Sequence, residues 1–179
     1  MKKANDLPIA KIHWKNKEIE ILNENYNKRS DKKVKVDDKL ETKVAIIKFY
    51  PGLDPGLFDY YFDKGYKGFV IEATGLGHVP VLEKFSFLPK IEKAVKSGLP
   101  VIITSQCLYG RVHPTIYYNL RRLSKMGVIF AEDMLPETAY VKLMWVLGHT
   151  KKLDEVRKMM LTNYAGEITE RTNPKTFLI

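Results

Sequence analysis

Three short stretches hold the side chains able to do chemistry. In residues 68–80, GFVIEATGLGHVP, an apolar run enters a turn where Gly75 and Gly77 flank Leu76, with Thr74 before and His78 after. A glycine-broken turn after a strand is where α/β proteins often hold phosphate. The dinucleotide fingerprint needs a third glycine where Val79–Pro80 stand, and the P-loop needs Gly-Lys-Ser/Thr; neither is present. Two readings stay open: a tight turn that demands positive φ, or backbone opened to a small polar ligand to which Thr74 and His78 present donors. In SQCLYGRVHP, Cys107 stands six residues before His113. A thiol with an imidazole in reach would be a nucleophile and its base, whereas a free cysteine is more often a small buried hydrophobe. Glu132, Asp133 and Glu137 bracket a strand end and a helix start. Paired carboxylates can divide acid and base roles, but acids in a first turn more often face the positive end of the helix dipole. His13, His78, His113 and His149 are scattered without ligand spacing, so no metal site is expected.

Elements must place these residues. Residues 8–22 alternate apolar and polar about Asn16–Lys17 and predict a β-hairpin; residues 23–43 are charged and predict an exposed connection. From Val44 the pattern changes to short apolar strands, 44–50, 68–74, 100–105 and 128–133, alternating with helical stretches. Gly65, Gly98 and Gly127 stop the first three helices, and PETAYVKLMWVLGHT and LDEVRKMMLTNY supply two more, with Met144 and Trp145 expected in the core. This predicts an α/β domain: a flavodoxin-like parallel sheet of about four strands with helices on both faces, preceded by a short hairpin. The three reactive stretches all leave carboxyl ends of strands, where such sheets bind ligands.

Composition bounds the class. The chain has 179 residues, 45% hydrophobic and 28% charged, as soluble globular domains do. No apolar run reaches the roughly 18 residues of a membrane span, and no signal-peptide core precedes the hairpin, so no membrane association and a cytoplasmic location are expected. One cysteine, Cys107, excludes an internal disulfide and a four-cysteine zinc site. The net charge of +9 is spread: residues 1–43 carry 12 Lys/Arg against 8 Asp/Glu, and the rest 18 against 13. No dedicated nucleic-acid surface follows from that distribution.

The segments VIEATGLGHVP, TSQCLYGRV and EDMLPETAYVKLMWVLGHT, with YPGLDP, DKGYKGFVIEATGLGHVP and MMLTNYAGEIT, resemble the D-type subunit of the archaeal glutamyl-tRNA(Gln) amidotransferases, an asparaginase-type family. The resemblance runs through nearly the whole chain. It implies a subunit that releases ammonia from glutamine or asparagine. An E-type partner subunit of the amidotransferase then uses that ammonia, with ATP and Mg²⁺, to convert Glu-tRNA(Gln) to Gln-tRNA(Gln). The resemblance implies no cofactor for amide hydrolysis itself. The family nucleophile is a threonine in a Thr-Gly-Gly-Thr motif, completed by a Thr-Asp pair and a lysine, and this sequence contains neither motif. The chain is thus similar to the C-terminal part of the subunit: residues 1–43 would be a hairpin and linker ending the larger N-terminal domain, and residues 44–179 the C-terminal domain.

The resemblance also gives the glycine loop a use. In asparaginases the small domain of one subunit closes over the active site of another, so a homodimer is implied. By that likeness His78 completes a neighbour's pocket near the substrate's α-amino or carboxylate group. Gly77 and Thr74 belong to the same loop, and Tyr117 matches a second position near the interface. The chain departs from the family at Ala73, where a glycine is usual, and at His113–Pro114, which stiffens a loop usually carrying amides. Two rivals share the sequence: a non-catalytic interaction module, and the small domain of a stand-alone L-asparaginase.

Overall fold

The computed structural model describes residues 7–172 except 25, 27, 32, 83 and 84. Its first piece is the hairpin, β1 (Ala10–His13) paired antiparallel with β2 (Glu18–Ile21), turning at Lys17 with φ +58°. The register puts Ile12 opposite Ile19 and Lys11 opposite Glu20, so apolar and charged pairs alternate. The apolar members are uncovered: Ile12 is 57% exposed and Ile19 65%. A lone two-stranded ribbon has no core of its own.

The second piece is a parallel sheet in the order β3 (Val44–Lys48), β4 (Gly68–Ala73), β5 (Val101–Ser105) and β6 (Ile129–Phe130). Helices α1 (Leu57–Asp63), α2 (Leu88–Lys96) and α3 (Tyr118–Lys125) connect successive strands, and α4 (Pro136–His149) and α5 (Leu153–Leu161) follow the last. Each strand is added on the same side of its predecessor, so right-handed crossovers keep α1, α2 and α3 on one face. There Phe69, Ile71 and Ile103 pack with Phe58, Phe87, Ile91, Leu120 and Leu123. The opposite face, with Val44, Val70, Ile102 and Ile129, is covered by Leu143 and Val146 of α4 and Val156 and Met160 of α5. Both faces are buried, which is why these strands read as continuous apolar runs.

Gly65, Gly98 and Gly127 adopt φ of +72°, +76° and +93° just past α1, α2 and α3, as helix-stopping glycines do. Two expectations need correcting. The strand expected over 128–133 spans only Ile129–Phe130, because the chain breaks away through Glu132 at φ +58°. Met144 and Trp145 are only partly buried against the second cluster. The connection before β3 is exposed but tethered: Glu41 N–H donates to Met144 O at 2.9 Å, and Asp37 meets His149 Nε2 at 3.0 Å. It crosses α4 at Gly148, where a Cβ would lie 2.2 Å from Lys39 O.

Candidate functional site

The loops at the carboxyl ends of β4 and β5 form one lip. As β4 ends, the Thr74 carbonyl accepts the N–H of both Gly77 (3.0 Å) and His78 (2.8 Å), and Thr74 N–H returns to His78 O at 3.1 Å. The Thr74 hydroxyl donates within the loop, to His78 O at 3.3 Å. This closes a five-residue turn in which Gly75 and Gly77 take φ of +51° and +107°. Gly77 is buried: a Cβ there would lie 3.0 Å from Ile103 Cγ2 and 3.4 Å from Phe130 Cε1. Its missing side chain therefore lets the loop sit down on the core, and the glycine left exposed is Gly75.

That packing raises His78 on the outer side of the turn, half-buried, with its ring 5.1 Å from the Tyr117 ring at 56°. Among the described residues the His78 imidazole makes no hydrogen bond, and neither ring nitrogen is buried unpaired. Tyr117 is extended backbone immediately before α3 and about half exposed. The lip is laced together: His113 N–H donates to Leu76 O at 3.0 Å, and the Ser105 hydroxyl donates to Gly75 O at 2.6 Å. Gln106 fixes the strand ends beneath it, its amide donating to Phe49 O and to Glu72 O (3.0 Å). A half-buried imidazole leaning on a phenol ring can bind a small polar or charged group; by itself it has no bond-breaking group to activate.

The other sequence candidates go elsewhere. Cys107 is exposed, not a buried hydrophobe. The His113 ring is turned to Thr115, with Nδ1 3.3 Å from Oγ1, and among the described contacts none joins it to Cys107. Glu132 and Asp133 are held structurally, so neither the acid–base pair nor the dipole reading describes them. Arg111 Nη1 donates to Glu132 Oε2 at 2.5 Å, and Asp133 accepts Thr169 N–H at 2.8 Å and the Thr169 hydroxyl. Arg111 Nη2 also donates to Thr169 O at 2.6 Å, which binds the segment after α5 across the end of β6. Glu137 alone stands in the first turn of α4, where the dipole reading fits. Sequence reasoning passed over Arg111, whose partners lie too far along the chain to leave a local pattern.

A groove of about 680 Å³ opens beside α4, between Leu40, Val141, Trp145 and Tyr164. None of Thr74, Gly77, His78 and Tyr117 lines it. At its base Lys142 Nζ donates to Glu167 Oε1 at 2.5 Å and to Thr162 O at 2.6 Å, and both charged side chains are 7% exposed. Burial would raise the Glu167 carboxyl, but the Lys142 ammonium and the N–H groups of Ala165 and Tyr164 outweigh it and hold it at about 2. Burial pulls Lys142 below the usual lysine range, only partly offset by Glu167. The two shifts oppose each other for the pair; the short contact and shared donors favour the ionised form of both. Among the described residues no group of three or more His, Cys, Asp or Glu is placed to hold a metal, and no helix is long and apolar enough to cross a membrane.

Residues 43–160 match the family model described as the Glutaminase/Asparaginase C-terminal domain. Over 174 residues the chain is 62% identical to the D-type subunit of the glutamyl-tRNA(Gln) amidotransferase of Pyrococcus abyssi, covering 97% of this chain and 39% of that protein. The corresponding Pyrococcus furiosus protein is 61% identical over 175 residues, with 98% and 39% covered. Among solved structures, the thermostable L-asparaginase from Thermococcus kodakarensis superposes with a TM-score of 0.79 at 34% identity, over 93% of this chain and 49% of that one. The chain therefore spans about two fifths of the length of these curated relatives.

Proposed function

Because the chain belongs to the glutaminase/asparaginase C-terminal domain family, we propose that it is the C-terminal part of an amide-hydrolysing amidotransferase subunit and supplies a lip that closes a neighbour's substrate pocket. Residues 1–43 then end the larger N-terminal domain, whose bulk would cover the apolar side of the hairpin. In the whole subunit a threonine hydroxyl attacks the amide carbon of glutamine or asparagine. Ammonia leaves, and water hydrolyses the acyl-enzyme. The E-type partner subunit uses the ammonia, with ATP and Mg²⁺, to convert Glu-tRNA(Gln) to Gln-tRNA(Gln) in the cytoplasm. This chain contributes no nucleophile. It contributes His78, steadied by Tyr117, to hold the substrate's α-amino or carboxylate group, while Thr74 and Gly77 fix the turn that presents it.

The observation that carries this reading is the His78–Tyr117 pair, set at the strand ends with its imidazole making no hydrogen bond among the described residues. It is what half of a shared site looks like. The stand-alone L-asparaginase reading is supported by the 34% likeness to the Thermococcus enzyme, which the 62% identity to an amidotransferase subunit outweighs. The test is steady-state ammonia release by the full-length subunit carrying His78→Ala. Losing one charge-assisted hydrogen bond, worth about 1.5–3 kcal/mol, lowers kcat/KM about 10- to 150-fold. Unchanged kcat/KM with both amides returns His78 to the status of a turn residue.

A further inference from the structure

We propose that Ser105 is the positioning residue that sets His78 against Tyr117, an inference resting on the substrate-binding reading of His78. Ser105 ends β5, the strand between β4 and β6, and is 7% exposed. Its hydroxyl donates to Gly75 O at 2.6 Å and accepts Cys107 N–H at 3.0 Å. One oxygen therefore ties the loop that carries His78 to the loop that leads to Tyr117. Thr104, its neighbour, does nothing comparable: it is fully buried and spends its hydroxyl on Ile71 O at 3.1 Å, inside the sheet.

The surroundings make Ser105 a tight joint. A Cβ on Gly110 would lie 3.2 Å from Ser105 Oγ and 2.6 Å from Cys107 Cβ, so the second loop folds closely over the hydroxyl. On the other side, Gly75 is exposed and has positive φ, the backbone with most freedom to move once released. A Cβ on Gly75 would lie 3.6 Å from His78 Nδ1, so a shift of that backbone reaches the imidazole directly. Gly77 and Leu76 are anchored independently, through core packing and through the His113 N–H. Ser105 thus governs the one corner of the turn that nothing else described holds, and that corner adjoins the ring.

The test uses the full-length subunit with Ser105→Ala, His78→Ala and the double variant, measuring ammonia release from glutamine and asparagine together with the thermal midpoint. Ser105→Ala lowers kcat/KM about 3- to 10-fold, the range of one net hydrogen bond, and does so through a raised KM. Added to His78→Ala it causes no further loss, because the group it positions is gone. The near-isosteric pair Ser105→Thr and Ser105→Val separates shape from bonding: the threonine variant, which keeps the hydroxyl, holds KM near wild type, and the valine variant does not. This pair also decides the matter if the alanine variant does not fold. The inference is overturned alone if His78→Ala is impaired while Ser105→Ala keeps its KM, loses only stability or kcat, or multiplies with His78→Ala. A silent His78→Ala overturns the substrate-binding reading, and the inference with it.

Discussion

Replacing Glu167 with glutamine removes a carboxylate that answers a buried ammonium, and the cost follows from the geometry. Lys142 Nζ sits 2.5 Å from Glu167, each side chain 7% exposed, and the carboxylate also accepts the N–H of Ala165 at 2.7 Å and of Tyr164 at 3.2 Å. Displacement of Glu167 from 4.5 to about 2 alone would correspond to about 3 kcal/mol at ~1.36 kcal/mol per pH unit, but burial pulls Lys142 the opposite way, which leaves about 1–2 kcal/mol for the pair. Stranding Lys142 adds to this. Breaking a wholly buried pair costs about 3–5 kcal/mol, but Lys142 keeps Thr162 O and lies 5.2 Å from the Tyr164 ring centroid. The expected loss is about 2–3 kcal/mol at pH 7, read by urea unfolding of the chain followed by circular dichroism. Because the folded carboxyl lies below its unfolded value, its contribution is complete above about 4.5 and is lost as pH falls toward 2. The gap between wild type and Glu167→Gln therefore narrows by about 0.5–1 kcal/mol between pH 7 and pH 4. A gap under about 0.5 kcal/mol at pH 7, or one that does not change with pH, refutes the reasoning.

Two further outcomes test the site. Gly77→Ala forces a side chain into φ +107° and against Ile103 Cγ2 at 3.0 Å; strain and overpacking together cost about 2–4 kcal/mol in urea unfolding, and a loss under about 1 kcal/mol by that assay would contradict the packing role. The 179-residue chain purified alone releases no ammonia from glutamine or asparagine, since covalent catalysis needs a nucleophile with its base in reach; turnover that survives rigorous purification would show the chemistry wrongly placed.

What sequence could tell followed from how local each feature is. The strands were legible because a sheet covered on both faces writes continuous apolar runs, and the first three helix ends because Gly65, Gly98 and Gly127 sit in positive φ. The length of β6 was not legible: Ala131 is fully buried like a strand residue, yet Arg111 and Thr169 draw Glu132 and Asp133 out of register. Lys142 reads as a surface lysine on α4, because its partner Glu167 lies in a later loop. In the glycine loop the residue types were legible but their division of labour was not. Only the fold shows that Gly77 faces the core while Gly75 faces out, and that Tyr117 comes to rest on His78. The family resemblance supplied a use for His78 that its spacing alone left open.

The most direct test of the central claim is complementation between an impaired and an inactive subunit. Full-length subunit carrying His78→Ala is mixed, under conditions that allow exchange, with full-length subunit whose nucleophilic threonine is replaced by alanine. If His78 serves a neighbour's pocket, half of the randomly formed dimers contain one complete site, and ammonia release rises to roughly a quarter of wild type. Activity no greater than the sum of the separate variants, in a preparation shown by sedimentation to have exchanged, would contradict a site shared between subunits.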